Sequence, residues 1–155
     1  MIALSYFGEI AVAVLLAIVL LAFSTLPMSA AAALVAAGCA AWTLGEYVGH
    51  RFVLHHLVPS GHLTHHARPN AAIFTVFWQI WLCLGFVWLI AGGAFAAGAL
   101  IAYGWYLFVH HCAHHDPGHI PAKLLRHHRL HHRMATRNYG VSTRLWDRLF
   151  GTALQ

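Results

Sequence analysis

Charge is what this chain has least of. Of its 155 residues 8% are Asp, Glu, Lys or Arg, and only four of those are acidic. A soluble domain carries about 25% charged residues. With 60% of its residues hydrophobic, the chain lacks the polar sequence to coat a water-facing surface. Cysteine is nearly as scarce. The three are Cys39, Cys83 and Cys112, with no Cys-x-x-Cys pair, which excludes a disulfide framework and a zinc ribbon. Cys39 and Cys83 fall in apolar stretches and read as packing residues. Cys112 lies among histidines that already supply donors. The stretch before His50 has no histidine, lysine or arginine at all. It therefore lacks the basic leader of a signal peptide, and its apolar character resumes at once after Pro27, as in a retained span. Gly-x-Gly-x-x-Gly nucleotide motifs and haem-attachment motifs are missing too.

Four long apolar segments are present, at about 8–24, 29–49, 72–90 and 93–109. About 17–25 residues of helix cross a bilayer core. The segments fit two helical hairpins, turning at Ser24-Thr25-Leu26-Pro27 and at Ala91-Gly92-Gly93. The expected fold class is all-α: an integral membrane protein, with four transmembrane helices in two hairpins and a cytoplasmic histidine-rich helical cap. Residues 1–155 are read as one domain. Two spans precede each histidine block, so both blocks emerge on the side of the N-terminus. All nine Lys and Arg, from Arg51 to Arg148, are on that side, and the positive-inside rule makes it cytoplasmic. The net charge of +5 does not indicate nucleic acid, because the basic residues are interleaved with histidines beside apolar spans. Arg68, Lys123, Arg126 and Arg137 are placed to meet lipid phosphates, though solvated charge is the ordinary state of each.

The fifteen histidines all lie between His50 and His132. One block carries His50, His55 and His56, then His62, His65 and His66. The other carries His110, His111, His114 and His115, then His127, His128, His131 and His132. Helical neighbours three and four apart share a face. His62, His65 and His66 therefore converge, as do His128, His131 and His132, and His110 stacks on His114. One zinc takes four ligands, so this many imidazoles imply two metals. Imidazole suits iron, zinc or copper alike. Glu46, one turn before His50, is expected beside the site, because an unpaired carboxylate is costly in an apolar span. Asp147 is a candidate acceptor for a ligand histidine, or a surface carboxylate. Asn138-Tyr139-Gly140 suits a turn. Leu145, Trp146, Leu149 and Phe150 recur at helical spacing, as in an interfacial helix with Trp146 at head-group level. A metal transporter would distribute its ligands near the midplane rather than at span ends on one side.

These boxes resemble those of the fatty acid hydroxylase and sterol desaturase superfamily. The first is His50 and His55, and the second His62, His65 and His66. The third is His110, His114 and His115, and the fourth His128, His131 and His132. The ending Asn138 to Thr152, with Trp146-Asp147-Arg148-Leu149-Phe150-Gly151-Thr152, is similar to the family's. The resemblance covers roughly 42–152 and is nearest to fatty acid or ceramide 2-hydroxylases. Carotenoid hydroxylases and lipid or sterol desaturases of the same type are the alternatives. It implies an O2-dependent oxidoreductase acting on a membrane lipid, with those eleven histidines as metal ligands. Glu46, by its place on the helix, is expected to orient an imidazole or to bind metal itself, and Asp147 to stand behind a ligand. It implies two metal ions, iron expected and zinc a substitute. Unactivated C–H bonds need redox chemistry, which zinc does not supply. Electrons are expected from a separate cytochrome b5, ferredoxin or reductase. His56, His111, His119 and His127 are extra to the boxes, and His119 follows the turn sequence Asp116-Pro117-Gly118.

Overall fold

A computed structural model describes residues 2–69 and 77–154. Every regular element among them is helical. In chain order they are α1 (Ile2–Ala22), α2 (Met28–Val48), a π-helical segment (Gly49–Leu57), α3 (Pro59–Ala67), α4 (Phe77–Ala91) and α5 (Gly93–His115). A single 3-10 turn (Pro117–His119), α6 (Ala122–Arg133) and α7 (Leu145–Leu149) follow. The two expected turns are present. Pro27 caps α2, its carbonyl accepting the Ala31 N–H, and Gly92 joins α4 to α5 with φ of 82°. That left-handed conformation suits glycine, which has no Cβ to clash. The opening residues of the third expected segment, 72–76, lie outside the described residues. The fourth does not stop at 109. Its helix runs on to His115, because backbone hydrogen bonding continues through polar residues that end an apolar run.

Among the described residues two helical stretches are long and apolar enough to cross a membrane, Met28–Leu57 and Gly93–His115. Tyr6–Ala22 and Trp78–Ala91 are shorter apolar helices.

The chain groups into two compact units, with boundaries inside α2 and α5. The first comprises 1–42 and 76–107. Here α2 and α5 come into backbone contact through small residues. A Cβ added at Gly38 would lie 2.0 Å from the Phe95 carbonyl oxygen, and one at Gly98 would lie 2.1 Å from that of Val35. Close approach through small residues lets helices associate where no hydrophobic effect drives them. Cys39 Sγ donates to the Gly98 carbonyl at the same crossing. Ala94, Ala96, Ala97 and Ala99 of α5 are buried as well. By contrast, α1 and α4 expose Leu15, Ile18, Val19, Leu82, Phe86, Leu89 and Ile90. An apolar surface of that extent is unusual in water and matches a hydrocarbon solvent. Glu9 is the acid in this unit. It accepts hydrogen bonds from Trp81 Nε1 at 2.8 Å and Tyr103 Oη at 3.4 Å, so its carboxyl has partners within the apolar unit.

The second unit comprises 43–75 and 108–155, and all the histidines lie in it. Its tail is folded by its own polar groups. Asn138, buried and at φ 57°, donates Nδ2 to the His127 carbonyl, and its Oδ1 accepts the Leu154 N–H. Trp146 stacks against Phe150, and its indole N–H donates to Thr43 Oγ1.

Candidate metal centre

Four helical segments bring imidazoles together, and winding decides which of them meet. His50 and His55 are five residues apart. On an α-helix of 3.6 residues per turn they would diverge by about 140°. The segment Gly49–Leu57 is instead π-helical, closing i→i+5 bonds such as Val58 N–H to Val53 O. The wider turn brings residues five apart onto nearly one face. The two rings accordingly stack with centroids 5.2 Å apart. The α-helical boxes use the ordinary spacing. His62, His65 and His66 share a face of α3, and His128, His131 and His132 share one of α6. His110 and His114 lie one turn apart on α5, with centroids 5.2 Å apart.

The imidazoles form two quintets. His50, His55, His62, His66 and His131 make one, and His65, His110, His114, His128 and His132 the other. Within each, the available ligand atoms all lie within 4.8 Å of one another. Each His-x-x-His-His box is divided between them. The outer pair, four apart, enters one quintet and the middle histidine enters the other. His62 and His66 thus join His131, while His128 and His132 join His65. The quintets abut, with His66 and His132 stacked at 4.4 Å.

The hydrogen-bonding capacity of the rings cannot satisfy this geometry. His62 Nε2 lies 2.9 Å from His50 Nε2, 3.0 Å from His55 Nε2 and 3.0 Å from His66 Nε2. A neutral ring nitrogen has either one proton or one lone pair, so it cannot serve three partners. His50 Nδ1 donates to the Tyr139 carbonyl, and His131 Nδ1 donates to that of Arg137 at 2.7 Å. Their Nε2 atoms are then bare acceptors facing the cluster. In the second quintet His128 Nε2 is 2.8 Å from His114 Nε2 and 3.2 Å from His132 Nε2, and His110 Nε2 is 3.2 Å from His65 Nε2. Nitrogens held at about 2.1 Å by one ion sit about 3.0–3.4 Å apart as neighbours in its shell. A cation in each quintet satisfies the arrangement, and the residues fit the group.

Electrostatics favour the neutral, ligating form of the rings. Burial first, and then the neighbouring imidazoles, push His62 down to about 2 and His65, His66 and His132 to about 4. Burial outweighs the Arg137 carbonyl to leave His131 at about 3, and it holds His128 well below the ordinary range. A depressed pKa keeps the lone pair that a metal requires.

His115 is placed outside both quintets. It is exposed, and its ring lies 4.9 Å from that of His111. His119 is exposed and pairs with Asp116 at 2.9 Å. His56 is exposed and is in neither quintet.

The two acids form a brace behind the first quintet. Asp147 is fully buried. Its Oδ2 accepts His127 Nε2 at 2.9 Å and the Gly140 N–H at 2.7 Å, and its Oδ1 accepts the Tyr139 N–H at 2.9 Å and Thr152 Oγ1 at 2.7 Å. Burial raises the Asp147 carboxyl, but these donors outweigh it and hold it below the ordinary carboxylate value. The peptide unit after Tyr139 thus runs from the Asp147 carboxylate to the Tyr139 carbonyl that orients His50. Glu46 takes the Val141 N–H at 2.7 Å, the Ser142 N–H at 3.0 Å and the Ser142 hydroxyl. Its oxygens are engaged by the tail rather than by an imidazole. His127, outside the boxes, is buried against Asp147, one residue before His128. The Tyr139 and Arg137 carbonyls escaped the sequence reading, because a backbone acceptor carries no residue-type signal.

An all-helical chain that gathers ten imidazoles into two abutting quintets falls in the histidine-box class. The model described as fatty acid hydroxylase matches residues 35–152, and the chain belongs to that family. It is 31% identical over 141 residues to a dihydroceramide fatty acyl 2-hydroxylase of Arabidopsis thaliana, covering 77% of this chain and 60% of that protein. It is 31% identical over 143 residues to the fatty acid 2-hydroxylase of Rattus norvegicus, covering 76% of this chain and 38% of the relative. A ceramide very long chain fatty acid hydroxylase of Schizosaccharomyces pombe is 30% identical over 160 residues, with coverages of 86% and 46%. The chain thus spans 60% or less of these relatives' length. No solved structure matches it.

Proposed function

We propose that this chain is an O2-dependent, dimetal membrane hydroxylase of lipid acyl chains, with an iron pair as its working cofactor and zinc as a substitute. The observation that carries the reading is the pair of abutting histidine quintets, whose facing nitrogens have no satisfactory hydrogen-bonding pattern without a cation. An iron pair supplies, when bound, the oxygen activation that an unactivated C–H bond requires. The ten quintet histidines hold it as neutral donors. The Tyr139 and Arg137 carbonyls fix the ring orientations of His50 and His131, as outer partners of ligating imidazoles do. Asp147 and His127 hold the tail peptides against that arrangement, and Glu46 pins the tail at Val141 and Ser142.

The relatives named as fatty acyl and fatty acid 2-hydroxylases support carbon 2 of a fatty acyl lipid as the position attacked. Hydroxylation leaves one oxygen atom of O2 in the product and reduces the other to water, which consumes two electrons and two protons. An external cytochrome b5, ferredoxin or reductase delivers the electrons. Four spans in two hairpins carry the chain through the bilayer, with the histidine side cytoplasmic. The apolar exposure of α1 and α4 and the confinement of all nine Lys and Arg to residues 51–148 support that topology. Because α2 and α5 each contribute to both compact units, 1–155 is treated as one functional domain.

The test combines metal analysis of the purified protein with mass spectrometry of lipid extracts from cells with and without the gene. Two metal ions per chain, and an acyl lipid heavier by one oxygen atom only in expressing cells, are expected. One metal per chain removes the dimetal reading, and a loss of two hydrogens in place of an oxygen gain makes the protein a desaturase.

A further inference from the structure

The second unit contains nine cations and three acids, Glu46, Asp116 and Asp147, and each acid is committed. Glu46 holds the Val141 and Ser142 donors, Asp116 pairs with His119, and Asp147 takes four donors on its two oxygens. Arg137 is turned to the Gly151 carbonyl, and Arg51 to the Tyr47 hydroxyl. Arg126, Arg144 and Arg148 have no such partner. With Gly151 and Leu154 they line a cleft of about 480 Å³ in this unit, walled on one side by Asp147. Arg144 Nε is buried there with no hydrogen-bond partner. A buried donor left unmade is costly, and one on a charged group more so. The three guanidinium groups outnumber the one carboxylate of the lining, Asp147, whose oxygens are already taken by four other donors.

We infer that the Arg126–Arg144–Arg148 cleft is a binding site for a phosphate group. The fork formed by a guanidinium Nε and a terminal nitrogen matches two oxygens of a tetrahedral oxyanion. Arg144 is half-buried in the cleft lining, and Arg126 and Arg148 beside it are exposed. The cleft volume lies within the usual range for a small-molecule site. The α7 region adds a second feature. Leu145, Leu149 and Phe150 are exposed large apolar side chains interleaved with Arg144 and Arg148. Cationic and apolar side chains alternating on one short segment suit a phosphate carried on an acyl lipid. The same cleft chemistry accepts free phosphate. Asp147 connects the site to the quintets, since it forms one wall of the cleft and holds the peptide that orients His50.

The full-length protein in neutral-detergent micelles tests this by thermal unfolding, read on tryptophan fluorescence. One arm titrates inorganic phosphate against chloride at constant ionic strength. The other dopes the micelles with dioleoyl phosphatidic acid against dioleoyl phosphatidylcholine. A saturable rise in Tm is expected in at least one arm, and which arm responds identifies the source of the phosphate. Arg126→Gln and Arg148→Gln, both at exposed positions, should weaken the response about tenfold each. Arg133→Gln removes the same charge at an exposed position outside the cleft and should leave the response unchanged. Arg144→Gln should abolish the response without lowering the Tm of the unliganded protein, because it removes a donor that has no partner there. The site is refuted if neither probe gives a saturable shift, or if Arg126→Gln and Arg148→Gln respond as the wild type or no differently from Arg133→Gln.

Discussion

Asp147→Asn is the sharpest probe of how the tail supports the metal centre. The substitution preserves shape and volume and changes the chemistry of one atom. Asp147 is fully buried and accepts four hydrogen bonds, two on each oxygen. An amide presents one acceptor and one two-proton donor. If the NH2 replaces Oδ2, it faces the Gly140 N–H and the His127 ring. If it replaces Oδ1, it faces the Tyr139 N–H and Thr152. The hydroxyl can rotate and the imidazole can change tautomer, but neither backbone N–H can become an acceptor. In either orientation at least one buried N–H is left facing a donor, and the charge that strengthened the other bonds is gone. Unmaking one buried bond costs about 1–3 kcal/mol, and weakening the rest adds about 1–2, for about 3 kcal/mol in all. For a chain of this length that corresponds to a fall in Tm of about 6–12 °C. The loss should be local as well as global. The Tyr139 carbonyl orients His50, so metal should be lost from the quintet of His50, His55, His62, His66 and His131 before the other. Purified Asp147→Asn and wild type should be compared by thermal unfolding and metal per chain, with Asp116→Asn as an exposed carboxamide control. An Asp147→Asn protein with wild-type Tm and full metal would show that the tail does not support the site.

Further outcomes follow from the same geometry. His131→Ala removes a donor that is both buried and held by the Arg137 carbonyl, so it should abolish activity and lower bound metal, whereas exposed His119→Ala should leave both near wild type; equal metal loss in the two would overturn the quintet assignment. The pH response has a definite sign. His65, His66 and His132 sit at about 4 in the folded chain against 6.5 ordinarily, so the unfolded chain binds more protons between those values. Their contribution to stability is complete above pH 6.5 and is lost as pH falls toward 4, and Tm and bound metal should decline across that window; a flat response there would contradict protonation of the rings as the competing reaction. In a background without Cys39, Cys83 and Cys112, cysteines at positions 29 and 60 should react with a membrane-impermeant label from opposite sides, and labelling from one side alone would refute the two-hairpin topology.

Much of this protein is legible in its composition and spacing. Apolar runs reveal helical segments because a span must bury its backbone polar groups within itself. Pro27 and Gly92 mark turns because proline lacks an N–H and glycine tolerates positive φ. Repeated i, i+3 and i+4 spacing places the box histidines on common faces, and ten of the eleven candidate ligands do enter the two quintets. Spacing describes one element at a time, however. It could not say that His65 leaves His62 and His66 for the other quintet, or that His131 leaves His128 and His132, because the opposing helix decides that. Nor could it show that His50 and His55 meet through a π-helical turn, since i→i+5 winding has no hydropathy pattern of its own. His115 has the neighbours and composition of a box residue, but its direction on α5 takes it to His111 instead. The sequence alone determined which residue types and which faces were available for a metal centre. Only the tertiary structure decided which faces met and which backbone carbonyls oriented the rings. The physical reason is that a carbonyl acquires its role from chain reversal at Arg137–Tyr139, and that reversal depends on Asp147, eight residues beyond Tyr139.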